Sequence, residues 1–74
     1  MQEGKTIPYS IEAEQSVLGS ILLDKDLLMM VADQLTREDF YAEQNAEVYD
    51  AMLSLFRKQE PIDLVTLTNL LRNR

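Results

Sequence analysis

Thirteen acidic residues, no histidine and no cysteine set the chemistry open to this 74-residue chain. Four acidic pairs stand close in sequence: Glu12 with Glu14, Asp24 with Asp26, Glu38 with Asp39, and Glu60 with Asp63. Paired carboxylates can act as general acid and base or hold a hard cation. A carboxylate metal site in a helical bundle needs inward glutamates, usually with Glu-x-x-His partners, and here there is no histidine. These pairs fall at helix starts and turns, where capping and the helix dipole account for them. The missing residue types also remove Ser-His and Cys-His nucleophiles, zinc-thiolate sites and disulfides. No G-x-x-x-x-G-K-[ST] phosphate loop occurs. The chain is therefore expected to hold no catalytic residue, no metal and no cofactor.

Phe40, Tyr41, Tyr49 and Phe56 could stack on bases, but no Arg or Lys is interleaved with them, so a structural core is the better reading. The net charge is −6, and the seven basic residues are scattered, densest at Arg57-Lys58 and between Arg72 and Arg74. Gripping nucleic acid requires a basic patch, so direct DNA binding is not expected. Methionines make adaptable contact surfaces. Met29 and Met30 lie partly off the apolar stripe of their segment and form a candidate interface. The apolar run "LLMMVA" at 27–32 is too short to span a bilayer, and no signal peptide opens the chain. A cytoplasmic protein without membrane contact is the expectation.

The elements follow from periodicity. With 46% hydrophobic residues, 27% charged, two glycines and two prolines, the chain reads as globular, with long elements and short connections. A single domain of this size buries only about 60% of its unfolded surface and is marginal without partners. Residues 1–9 carry Gly4 and Pro8 without periodicity and read as a flexible arm, ordered only where Ile7 and Tyr9 find a surface. Ser10 is an N-cap candidate for a helix over 11–23, with Ala13, Val17, Leu18, Ile21 and Leu22 as its apolar stripe. Gly19 lies inside that stripe, where glycine costs about 1 kcal/mol relative to alanine. Its place predicts a packing notch that lets another helix, Phe40 or Tyr49 approach the backbone.

Asp24 or Asp26 caps a second helix over 25–35, marked by Leu28, Val31, Ala32 and Leu35. "TREDFY" predicts a short turn that swings Phe40 and Tyr41 inward. Tyr49, Met52, Leu53 and Phe56, widened by Val48 and Leu55, predict a third helix over 43–58. "QEP" ends it, because the residue before proline avoids helical geometry. Asp63 is placed to cap "LVTLTNLLRN", in which Leu64, Leu67 and Leu71 share a face. The fold class is all-α, a small compact bundle of about four helices over 10–74. The stop at Arg74, straight after Leu70 and Leu71, suggests a piece of a longer protein.

Four blocks together resemble a known family. "IPYSIEAEQSVLGSILLD" is similar to the opening of the amino-terminal domain of DnaB-type replicative DNA helicases, through Pro8, Ser10, Glu12, Ala13, Glu14, Val17, Leu18 and Gly19. "EDFY" matches through Asp39, Phe40 and Tyr41, and "VYDAM" through Val48, Tyr49 and Met52. "PIDLVTL" matches through Pro61, Ile62, Asp63, Val65, Thr66 and Leu67. Order and spacing over about residues 7–71 make the set far more specific than any one block. One position departs: many members carry a histidine three residues before Val48, where this chain has Asn45.

The resemblance implies the globular head of the amino-terminal collar of a hexameric ring helicase. Its family-motif residues would be Glu12, Glu14, Leu18, Gly19, Phe40, Tyr41, Tyr49, Asp63 and Thr66. It implies dimers within the hexamer, and contacts with the bacterial primase and a helicase loader. ATP and magnesium would belong to a RecA-type motor domain outside this chain. A helical hairpin that completes the primase-docking and trimerising surfaces would follow Arg74. Two rivals stand beside this reading: the helicase-binding domain of a bacterial primase, against which the Glu-Ala-Glu to Leu-Gly block argues, and a small carboxylate metal binder.

Overall fold

The computed structural model describes residues 10–73, and the expected arm over 1–9 lies outside them. Four α-helices and one 3-10 turn follow in order: α1 (Ile11–Leu23), α2 (Lys25–Val31), the turn Arg37–Asp39, α3 (Glu43–Arg57) and α4 (Leu64–Arg72). The all-α expectation holds. Helix α3 is the central element; α1, the 3-10 turn and α4 all pack on it, and α2 packs on α1.

Side-chain caps mark most of the boundaries. Ser10 Oγ accepts the Ala13 N–H at 3.2 Å and opens α1. Asp24 ends α1 through its own N–H to the Ser20 carbonyl, and its carboxylate then accepts the Asp26 N–H at 3.1 Å to start α2. One extended residue thus separates the two helices, and Asp24 rather than Asp26 is the cap. Asp63 and Thr66 form a reciprocal capping box at α4: Asp63 Oδ1 accepts the Thr66 N–H at 2.9 Å, and Thr66 Oγ1 accepts the Asp63 N–H at 3.0 Å.

Helix α2 is shorter than its periodicity predicts, ending at Val31 rather than 35. The Gln34 and Leu35 N–H groups both turn back onto the Val31 carbonyl. Leu35 packs against the core, and its carbonyl accepts the Tyr49 hydroxyl, 2.7 Å away. The expectation for α3 overshoots by one residue, and its end has a different cause. Gln59 takes the left-handed conformation, with φ 59°. The Gln59 N–H reaches the Phe56 carbonyl at 3.1 Å, and the Glu60 N–H reaches Leu55 at 2.9 Å. This is a Schellman cap, completed before Pro61 can act.

The core joins Leu18 and Ile21 of α1, Leu28 of α2, Phe40, the α3 residues Ala46, Tyr49, Ala51, Met52, Leu53 and Leu55, then Ile62 and Leu67. Two members of the expected stripes face water instead: Ala13 and Leu64 are exposed.

Candidate functional site

Three hydrogen bonds that span 27, 28 and 31 positions meet at the start of α3. Ala42 caps that helix in extended geometry but has no side chain able to accept a hydrogen bond. The acceptor comes from α1. Glu14 Oε2 accepts the Tyr41 N–H at 2.6 Å, while Oε1 accepts the Ala42 N–H at 3.3 Å and the Asn45 side-chain amide at 2.9 Å. A carboxylate at a helix N-terminus satisfies orphan donors and complements the helix dipole. The Asn45 amide, followed by the Tyr41 N–H, holds the Glu14 carboxyl below the ordinary glutamate range.

Beneath this junction the Phe40 and Tyr49 rings pack with centroids 4.9 Å apart, tilted by 32°. Tyr49 is fully buried, and burial pushes its phenol above the ordinary tyrosine value. It therefore stays a neutral donor to the Leu35 carbonyl, tying the loop after α2 to α3. Arg37 pairs with Glu43 at 2.7 Å and with Glu47 at 3.0 Å, and stands 3.9 Å from Asp50. The Glu47 hydrogen bond leads the effects that raise the Arg37 pKa. Water screens this half-exposed fork, which fixes the orientation of the 3-10 turn more than it adds stability.

The structure treats the sequence-marked residues unequally. It brings together Glu14, Phe40 and Tyr49 near the α1–α3 junction, with Leu18 buried in the same core. Tyr41, expected to turn inward, is 60% exposed, and its backbone N–H serves the junction. Glu12 is exposed. Asp63 and Thr66 work together at α4, where the Thr66 backbone N–H leads the effects that lower the Asp63 carboxyl. The packing notch at Gly19 is absent: a Cβ built there meets nothing within 4 Å among the described residues. The apolar stripe of α1 meets its neighbours through Leu18 and Ile21, and Gly19 falls beside that contact. Met29 and Met30 are both exposed.

Three residues hold roles that the motifs did not mark: Asn45, noted above only as a departure from the family pattern, Arg37 and Gln59. Asn45 carried one usable signal, a polar residue one turn before the apolar stripe of α3 and buried once folded. No group of three or more Asp, Glu, His or Cys residues suited to a metal occurs among the described residues.

Such a molecule is a helical domain whose carboxylates, amides and hydroxyls fasten helices to one another. A model of the DnaB-like helicase N-terminal domain matches residues 6–74, and the chain belongs to this family. It is 46% identical over 66 residues to the replicative DNA helicase DnaC of Bacillus subtilis, covering 89% of this chain and 14% of that one. It is 45% identical over 64 residues to the replicative DNA helicase DnaB of Mycobacterium leprae, covering 86% and 11%. The crystal structure of the N-terminal domain of DnaB helicase from Mycobacterium tuberculosis superimposes with a TM-score of 0.85 at 45% identity, covering 90% of this chain and 46% of that one. The chain thus spans a small part of the length of these helicases.

Proposed function

We propose that this domain is an interaction and assembly module of a replicative DNA helicase. The observation that carries this reading is the family match over residues 6–74, together with relatives near 45% identity that are replicative helicases. Unwinding driven by ATP and magnesium falls to a motor domain elsewhere in the parent protein, because these residues contain no phosphate loop. The work assigned to this domain is self-association, as dimers within a hexameric collar, and docking of the bacterial primase and a helicase loader in the cytoplasm.

Exposed apolar side chains support the reading. Met29 and Met30 project into water from α2, which is anchored inward by fully buried Leu28. Flexible thioethers suit a surface that must adapt to a partner. Among the described residues no helix is long and apolar enough to cross a membrane.

Sedimentation velocity over a wide concentration range tests the assignment. Reversible self-association is expected, weakened by the double substitution Met29→Gln, Met30→Gln while the helical circular dichroism is unchanged. A strictly monomeric profile at the highest concentration overturns self-association for this domain.

A further inference from the structure

We infer that Met29 and Met30 form an oxidation site, modified by peroxide-class oxidants, that changes the surface of α2 without unfolding the domain. The inference stands on the exposure and packing of the unassembled domain. It is tested at concentrations where the domain is monomeric, because the self-association proposed above would cover the same side chains. Met29 and Met30 are 62% and 70% exposed, whereas Met52 in α3 is 0% exposed and belongs to the core. Three of the chain's four methionines thus offer the same chemistry at opposite extremes of access. Met29 also lines an open groove of about 540 Å³ with Lys25, Phe56, Arg57 and Ile62, so small oxidants reach it from solvent.

The chemistry is a two-electron oxygen transfer. A sulfur lone pair attacks one peroxide oxygen, the O–O bond breaks, the S–O bond of the sulfoxide forms, and the second oxygen leaves as water. Sulfur is oxidised and peroxide reduced. A dithiol-driven sulfoxide reductase reverses it, the oxygen leaving as water and the dithiol closing to a disulfide.

The consequence differs by site. A sulfoxide is polar, and inside a core it disrupts packing, as Met52 would. On α2 the new oxygens stay hydrated. The helix keeps its anchors: Leu28 is fully buried, Leu27 and Val31 pack against the core, and the Asp24 carboxylate holds the first turn. Oxidation therefore replaces two exposed apolar groups with polar ones on a helix that remains docked.

Trypsin separates the sites, since cleavage after Lys25, Arg37 and Arg57 leaves Met29 and Met30 in peptide 26–37 and Met52 in peptide 38–57. The folded chain is treated with graded hydrogen peroxide, digested and weighed. Peptide 26–37 is expected to gain one and then two oxygens about tenfold or more faster than 38–57 gains any. At that stage the chain should leave a hydrophobic-interaction column earlier, with its melting curve unchanged. Met29→Leu with Met30→Leu should abolish both the oxygen uptake of 26–37 and the earlier elution. Equal oxidation of the two peptides in the folded chain overturns the inference. So does loss of helicity while only 26–37 is modified.

Discussion

At Glu14, one side chain does for α3 what a local cap does for most helices. Its lowered pKa has a definite sign: the stabilisation is fully present above the ordinary glutamate pKa, about 4.3, and is lost as the pH falls through the lower folded value. Glu14→Gln should therefore melt earlier than the native chain at neutral pH, with the gap closing in the acid range. Thermal melts at a series of pH values check this, and a constant gap down to strong acid would refute the charge-based account. Gly19 offers the opposite change. Open space around its missing Cβ means that alanine meets no clash. Gly19→Ala should stabilise the chain by about 1 kcal/mol through helix propensity alone, raising Tm by roughly 4–8 °C in a domain of this size. A drop in Tm would show that something outside the described residues occupies that space. The sequence could place Gly19 on a helix but not show what lies above it, since periodicity reports a face and not its neighbour. Glu14 hid its partners for a related reason: a polar bond across 27 to 31 positions leaves no repeating trace.

Among elements, the helices were legible because their apolar residues repeat with the period that packing demands, and Ser10 and Asp63 carried their caps openly. Endings were less legible. Helix α2 stops at Val31, where the Gln34 N–H closes onto the Val31 carbonyl three residues back, a local tightening that the apolar period does not report. Helix α3 stops on a left-handed glutamine, a position that composition reserves for glycine. A side chain in that conformation costs about 1–2 kcal/mol, partly offset by the greater unfolded freedom of glycine. Gln59→Gly is thus expected to raise stability by up to about 1 kcal/mol, measured by urea unfolding. Destabilisation would mean that the glutamine side chain makes a contact worth more than the strain.

For the molecule as a whole, size and charge decide more than any single contact. A net charge of −6 repels a polyanion, and Arg37 is already engaged by carboxylates. The domain should show no affinity for single-stranded DNA in a gel shift at physiological salt, and a submicromolar shift would reverse this conclusion. Most contacts in such a bundle are local, within a helix or between successive ones. The Glu14 junction is an exception with a kinetic meaning. The Tyr41 and Ala42 amides have their acceptor in another helix, 27 and 28 positions away. Their protons exchange with deuterated solvent when α1 lifts off, even if α3 stays wound. Two amides thus time the undocking of one helix, separately from the unwinding of the other.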